Sequence, residues 1–512
     1  MLQGIPLLVG TFGLLYVVRL LVSWWNGVRS IGNLPGYRTL FSHYGIVSRI
    51  LPRIPFVNPG SNSFFEDKHS SFQAAGWDMI SVVSALPQTL VAVSIADAKA
   101  VKEVISARAR FPKPVAQYKV LTFFGRNIVA SEGDEWKRYR KITAPAFSDR
   151  NNKLVWDETV KIMNDLFTEV WMDKDVITVD HCVDITLPIA LFVIGVAGFG
   201  RRISWHDDVV IPPGHTMTYK DALHIVSSDV FFKVLLPDWA LSNLGPRMKN
   251  IKTAFDELEQ YMREMIRDRQ NSEKVERYDC SPVFWTQITT TLRPIDCQKV
   301  TSIVAMTGNI FIFLLAGHET TAHTLCFAFA LLALHPEEQD KLFEQIKSLL
   351  PEDRFPTYEE MPLYTYSMAV FNETLRLFPP VVNIPKVSAE DTVLTVGNAF
   401  GEKRTVPIPK DARVSVNTPG LHYNPRYWKN PESFQPARFL EPDWPRDAFL
   451  PFSAGARACL GRKFFETEGI VVLTMLVSKY KISLKDEPEF AGESVAQCKE
   501  RIFRTHNGLT LT

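Results

Sequence analysis

From Gly4 to Trp25 nearly every position is apolar, and Arg19 is the only charge. A run of about twenty apolar residues matches the hydrocarbon thickness of a bilayer, so the pattern predicts a transmembrane helix. Trp24 and Trp25 would sit at its interface, and Arg19 would snorkel toward water. A cleavable signal would need basic residues ahead of the run and a small-residue cleavage site behind it. Neither is present, so residues 1–28 read as a retained anchor. Arg29 and Arg38 follow the run and no basic residue precedes it, which places the remaining chain on the cytoplasmic side. Pro35, Pro52, Pro55 and Pro59 space out residues 29–60, predicting an extended, proline-rich linker without helix. Beyond it, Thr89–Ser94 predicts a strand and Ala98–Ile105 a helix. Amphipathic segments follow at Asn151–Trp171, Ile251–Arg269, Lys299–Leu334 and Pro336–Leu349. Short β-rich segments return at Thr392–Val396 and Val414–Asn417. There is no internal repeat or low-complexity block. Residues 61–512 therefore read as one mainly α domain with small β-sheets, an α+β arrangement.

Composition changes this picture little. Hydrophobic residues make up 46% of the 512, enough for a large core. Lysine and arginine together number 57 against 56 acidic residues, so no nucleic-acid partner is expected. Cys182, Cys280, Cys297, Cys326, Cys459 and Cys498 are scattered, with no C-x-x-C pair. That argues against a disulfide framework or zinc cluster and fits a reducing compartment.

Cys459 is the exception. It lies between Gly455 and Gly461, two residues after Arg457, in the stretch Phe452-Ser-Ala-Gly-Ala-Arg-Ala-Cys-Leu-Gly461. Glycine admits backbone shapes that a Cβ blocks, and a nearby guanidinium favours a thiolate. The pattern F-x-x-G-x-R-x-C-x-G resembles the haem-binding loop of the cytochrome P-450 monooxygenases, in which the thiolate ligates iron. Four further motifs resemble that family, in its order. Ala316-Gly317-His318-Glu319-Thr320-Thr321 interrupts an apolar helix with groups that a buried helix rarely tolerates unless they face a cavity or ligand. It resembles the segment running over the distal face of the haem, with small Ala316 and Gly317 letting a flat ligand approach and Thr320 opening the helix ladder. Glu373 and Arg376, with Arg438 in Pro436-Ala-Arg-Phe439, resemble the charge network that braces the haem-binding core. Trp136 and Arg140, spaced W-x-x-x-R, resemble the helix that reaches the haem propionates. His422 reads as structural.

The resemblance implies a cytochrome P-450 fold of the fungal microsomal type, with haem between the long central helix and the cysteine loop. Cys459 would be the axial iron ligand. Trp136, Arg140, Arg457, Lys386, Phe452, Gly455 and Gly461 would hold the cofactor. Lys386 stands where the family commonly has arginine, which makes its propionate contact less specific. Thr320 and Glu319 would be catalytic, the first bonding dioxygen and the second helping to deliver protons. The cofactor would be haem b (iron protoporphyrin IX), with no ester link at Ala316, because alanine lacks the carboxylate that forms one.

No flavin or nicotinamide segment is apparent in the chain. Electrons from NADPH would come from a separate flavoprotein reductase, with cytochrome b5 as a second donor and Arg138 and Arg140 near the docking surface. The expected localisation is the endoplasmic reticulum membrane. Phe123, Phe124, Val226–Leu236, Phe313 and Val382–Ile384 would line an apolar pocket for a lipophilic substrate, with a terpenoid or sterol-like skeleton favoured. The alternatives are a fatty-acid hydroxylase, a haem-thiolate isomerase or dehydratase, and a binding protein that has lost catalysis. His318 and His323 suggest a zinc protease, but five residues apart they lie roughly 140° apart on a helix and could not share a metal.

Overall fold

The computed structural model describes residues 4–60, 62–205, 210–275, 299–351, 354–505 and 510–512. Seventeen helices are placed among them. In the first half they are α1 Gly4–Ser30, α2 Ile46–Ile50, α3 Ser63–Glu66, α4 Ser70–Ala75, α5 Ala98–Ser106, α6 Gly133–Thr143, α7 Asp149–Asp165, α8 Val183–Val193, α9 Tyr219–Leu235, α10 Asp238–Asn243 and α11 Pro246–Val275. The second half carries α12 Lys299–Leu334, α13 Pro336–Leu349, α14 Thr365–Leu377, α15 Thr418–His422, α16 Arg462–Lys479 and α17 Val495–Ile502.

At 36 residues α12 is the axis of the fold, and it packs against α8, α11, α14 and α16. Ile310, Phe311, Leu314, Leu325, Leu331 and Leu332 along it are fully buried in the main core. Near its start the loop before α6 lies against the helix backbone. A Cβ at Gly308 would stand 2.6 Å from the Gly125 carbonyl, so both glycines are needed for that approach. The contact fixes the loop carrying Phe123 and Phe124.

A five-stranded sheet forms the second layer, in the order β1-β2-β3-β7-β4, from β1 Gly36–Phe41, β2 Met79–Leu86, β3 Leu90–Ile95, β4 Asn383–Val387 and β7 Arg413–Asn417. β1 runs parallel to β2, and β3 parallel to β7; the β2–β3 and β4–β7 pairs are antiparallel. β5 Thr392–Gly397 and β6 Lys403–Ile408 make a separate hairpin. Val93, Ile95, Val414 and Val416 face a smaller core shared with α5.

The N-terminal stretch differs from its reading in two places. α1 forms, but its last turns rest on the sheet: Gly27 comes close to Val91 and Val83, and Trp24 donates its indole N–H to the Val83 carbonyl at 3.4 Å. Residues 29–60 are not a bare linker, because they carry the edge strand β1 and the short helix α2. Proline spacing hid both elements, which are too short to show a period. One helical run among the described residues, Val304–Leu334, is long and apolar enough to cross a membrane. It is the buried central helix.

Glu468 on α16 is fully buried, and neither carboxylate oxygen has a hydrogen-bond partner. Burial pushes its pKa well above the usual carboxylate value. The folded protein therefore keeps the proton that the unfolded chain releases. Stability is complete below the ordinary carboxyl pKa and falls as pH rises, at about 1.4 kcal/mol per pH unit until the folded value is reached. Glu468→Met should raise the unfolding midpoint, and raise it more near pH 8 than near pH 5, as read by thermal melts at the two values. An equal gain at both would contradict a neutral buried carboxyl.

Candidate active site

The site is built outward from a buried ion pair. Arg376 binds Glu373 through two hydrogen bonds, Nε to Oε2 at 2.7 Å and an Nη2–Oε1 bond of 2.8 Å, and both side chains are inaccessible to solvent. The remaining guanidinium protons go to carbonyls of His422 at 2.9 Å, Pro431 at 2.7 Å and Ser433 at 3.2 Å. Glu373 also accepts from the Gln435 backbone N–H at 2.9 Å and lies 3.2 Å from Arg438 Nε. The three charged residues thus hold the chain between 422 and 438 against α14.

His422 carries the constraint onward. Its Nε2 accepts the Leu450 N–H at 2.8 Å, which leaves Nδ1–H to donate to the Arg376 carbonyl at 3.1 Å. Burial first, then the Arg376 charge, lowers its pKa to about 3, so the ring stays neutral. Leu450 opens directly into the cysteine loop.

Within the loop, the Cys459 N–H donates to the Phe452 carbonyl at 2.9 Å, and Phe452 packs against Phe465. Gly455 adopts a φ of +63°, a conformation that disfavours a side chain. Gly461 does not need its glycine in the same way: its φ is −82° and a Cβ there would meet nothing closer than 3.8 Å. Cys459 is exposed by its own surface, yet desolvation raises its thiol pKa, opposed by the Gly461 backbone and by Arg140 and Arg462. Together these describe a sulfur facing an internal space.

Phe147 connects this loop to α12, close to Gly461 and 5.8 Å from the Phe313 ring. On α12, Ala316 is exposed, and Thr320, four residues on, shares its face. Thr320 Oγ1 donates to the Ala316 carbonyl at 2.6 Å, and Thr324 repeats the pattern onto the Thr320 carbonyl at 2.7 Å. The ladder is not opened here: α12 stays regularly helical through these residues. Gly317 does not face the open side either, because the Ile194 side chain fills the space beside it.

Glu319 turns away from Thr320. It is 7% exposed and receives the Thr510 hydroxyl on Oε2 at 3.4 Å, with Ser227 of α9 a polar neighbour that favours its charged form. Burial raises its pKa. His318 is fully buried with a pKa lowered to about 3, and His323 is lowered to about 4, both chiefly by desolvation.

At the N-terminal end of α6 the structure gathers more positive charge than it neutralises. Arg457 stacks over Trp136 at 4.1 Å, pairs with Glu132 at 2.8 Å, and donates to the carbonyls of Ser131 and Ile128. Arg108 lies over the other reach of the same indole at 4.7 Å. Arg140 donates to the Ala458 carbonyl at 3.3 Å. Lys386, in β4, is 6% exposed, and burial lowers its pKa. Lys113 was missed in the sequence. Burial, then Arg457 and Lys386, lower its pKa to about 7; its ammonium bonds the Val129 carbonyl at 2.6 Å and lies 3.8 Å from the Tyr118 ring. Neither Lys113 nor Arg108 belongs to a recognisable spacing, since β4 and the 108–113 segment meet only through long-range pairing.

Among the substrate-pocket candidates, Phe123, Phe313 and Ile384 keep partial exposure. Phe124, Val226 and Val382 instead pack into the core, Phe124 against Phe255 and Phe311.

These features fit haem. A thiol aimed at an internal space can supply an anionic ligand, the exposed Ala316 leaves room on α12, and the cations around Trp136 match the two carboxylates of the macrocycle.

The chain matches the family model "Cytochrome P450" over residues 66–500. It is 53% identical to "Cytochrome P450 monooxygenase 124" of Postia placenta over 487 residues, covering 94% of this chain and 93% of that one. It is 32% identical to "Cytochrome P450 monooxygenase ORF6" of Penicillium roqueforti, covering 82% and 78%. Its fold matches the crystal structure of the cytochrome P450DA heme domain with a TM-score of 0.71 at 21% identity, covering 93% and 95%.

Two substitutions separate brace from ligand. Glu373→Ala strands a buried guanidinium, which costs about 3–5 kcal/mol; the unfolding midpoint and haem content should fall together. Cys459→Ser should leave the melting curve of the haem-free protein nearly unchanged and abolish the thiolate-type absorption of the reconstituted protein. Equal stability losses in both variants would contradict this division.

Proposed function

The chain belongs to the cytochrome P450 family of monooxygenases, and on that footing we propose that it inserts one oxygen atom from O2 into a lipophilic small molecule. The reading rests on the Cys459 thiol in its loop, which Phe147 joins to Phe313 of α12. Thiolate-ligated haem supplies dioxygen activation, the thiolate favouring O–O cleavage.

The protein's own contribution is ligation, charge and proton placement. Cys459 gives up its proton on ligating metal, so its raised pKa makes cofactor uptake release a proton. Lys113, Lys386, Arg457 and Arg108, with Trp136, would hold the carboxylates of the cofactor. Thr320 presents a hydroxyl on the open face of the helix, and its bond to the Ala316 carbonyl is one it can exchange for a ligand. Burial raises the pKa of Glu319 nearby, and its carboxyl must rotate from Thr510 to serve that face.

Phe123, Phe313 and Ile384, apolar and partly exposed near α12, support a lipophilic substrate, for which a terpenoid or sterol-like skeleton is our preferred class. We assign electron supply to a separate NADPH-dependent flavoprotein reductase, with cytochrome b5 as an accessory donor. α1 is proposed as a membrane anchor in the endoplasmic reticulum, the catalytic domain being cytosolic; Phe12, Leu14, Leu15, Val18, Leu21 and Val22 along it are exposed, as a lipid-facing helix requires.

The haem-loaded protein should show a carbon-monoxide difference band of the thiolate type and incorporate label from isotopic O2 when supplied with reductase and NADPH. Spectral shifts across a terpenoid, sterol and fatty-acid panel would assign the substrate class. Turnover without NADPH or O2 would instead support isomerase or dehydratase chemistry. Thr320→Ala and Glu319→Gln should each divert reducing equivalents to peroxide, lowering product per NADPH by about tenfold or more.

A further inference from the structure

Away from the cysteine loop and α12, one face of α11 carries a row of polar side chains that the oxygen chemistry does not use. Glu257, Tyr261 and Glu264 are spaced four and three residues apart, so they stand one above another on that helix. They grip three consecutive residues of the loop that leads into α9. Glu257 Oε1 accepts both the Thr216 N–H at 2.9 Å and the Thr216 hydroxyl at 2.7 Å. The Tyr261 hydroxyl donates to the Met217 carbonyl at 2.9 Å. His215 completes the set, its side chain only 3% exposed. Its Nδ1 is 2.6 Å from Glu257 Oε2 and its Nε2 is 3.0 Å from Glu264 Oε2. The ring lies flat on Tyr261, with centroids 3.7 Å apart and planes 2° apart.

A carboxylate can only accept, so an imidazole that meets one at each nitrogen must donate from both and carry a positive charge. Burial acts to raise the pKa of both carboxyls. Hydrogen bonds from Thr216 and His215 to Glu257, and from Gln260 and His215 to Glu264, nevertheless bring each below its ordinary value. The other titratable or charged groups around the ring are Tyr261, which burial pushes up to about 12, Tyr219 and Asp221 of α9, and Arg201, whose guanidinium lies 5.3 Å from the Tyr261 ring. Loss of one proton turns a ring nitrogen into an acceptor facing an ionised carboxylate, so an attraction becomes a repulsion. The grip is therefore closed while the ring is charged and is lost as rising pH removes that charge. On the acid side it holds until the carboxylates themselves take up protons.

The gripped loop bears on the substrate side of the protein. α9 packs along α11 and against the short helical segment Val115–Leu121, which runs on toward Phe123. Phe255, two residues before Glu257, meets the Phe123 ring edge-on at 5.5 Å, and Lys233 near the end of α9 lies 5.5 Å from the Phe255 ring. α9 is not one straight rod: Asp229 inside it has a φ of −107° and a ψ of 15°, which divides the helix into two halves. We propose that His215 is a positioning residue for substrate entry: as an imidazolium it clasps the start of α9 to α11, and its deprotonation frees the first half of α9 to swing at Asp229 and open the pocket. The proposal rests on the reading of Phe123 as part of the pocket wall.

Amide hydrogen exchange of the haem-loaded protein reads the clasp directly, followed by mass spectrometry from about pH 5.5 to about pH 9 and corrected for the intrinsic effect of pH. In the wild type, protection of peptides covering residues 215–228 should fall by about tenfold as pH rises. His215→Gln, neutral at every pH, should show the low protection throughout. His215→Arg, whose planar fork keeps its charge, should show the high protection throughout. Tyr261→Phe, which removes only a hydroxyl, should lower protection yet keep its pH dependence. Pocket entry is read by stopped-flow from the Soret shift that 4-phenylimidazole produces on binding haem iron. Each rate is divided by that of His215→Arg at the same pH, so that the probe's own titration cancels. The ratio should climb with pH in the wild type and stay high in His215→Gln. Phe123→Ala should also speed entry; without that effect the pocket reading fails, and the positioning role with it. Exchange that is alike in the wild type, His215→Gln and His215→Arg overturns the clasp itself, whatever Phe123→Ala does.

Discussion

One buried guanidinium sets the position of everything that does chemistry. Arg376 has no solvent contact, and its hydrogen bonds run to the Glu373 carboxylate and to three backbone carbonyls. A charge in that setting tolerates no loose partner, because an uncompensated buried ion costs several kcal/mol. The carbonyls of His422, Pro431 and Ser433 must therefore stay where the guanidinium can reach them. That requirement fixes a stretch of irregular chain which has little regular secondary structure to fix it otherwise. His422 relays the position to Leu450, and the cysteine loop begins two residues later at Phe452. The ion pair is remote from the sulfur, but it determines where the sulfur is.

A second constraint has the opposite character. Around Trp136 the protein gathers positive charge: Lys113, Lys386 and Arg457 share the carboxylate of Glu132, and Arg108 lies over the indole. Burial first, and then the charges of Arg457 and Lys386, lower the pKa of Lys113. The first cluster is satisfied internally and holds the fold. The second has fewer internal partners, an arrangement suited to the two carboxylates of a haem.

The two clusters were not equally legible in the sequence. Glu373, Arg376, Arg438, Trp136, Arg140, Arg457 and Cys459 sit in fixed short spacings, so local pattern exposed them. Lys113 and Arg108 sit in no such spacing; they join the site because β4 pairs with β7 and the 110–113 segment hydrogen-bonds to Val387 and Ala389. The long amphipathic or uniformly apolar elements followed a similar rule. α12 and α13 were bounded as they are in the structure, whereas α8, with Pro188 inside and its whole second half from Pro188 to Val193 buried, carries no periodic signal. β1 and α2 were concealed by prolines that the fold accommodates at an edge strand and between short turns. The orientation of Glu319 was beyond reach for another reason. A motif says which residue types occur together, not which way each one faces.

That distinction matters most on α12. Ala-Gly-His-Glu-Thr-Thr looks like one functional unit when written in a line, but a helix turns through about 100° at each residue and distributes it over several sides. Ala316 and Thr320 face the open space, Gly317 receives Ile194, His318 is sealed in the core, and Glu319 faces α9. A polar group that faced the haem side permanently would also be open to every ligand there. Setting the carboxyl on the adjacent side, where Thr510 bonds it and burial raises its pKa, keeps it dry. The helix thus separates the face where oxygen chemistry would occur from the face that buries the carboxyl, by the angle between neighbouring residues alone.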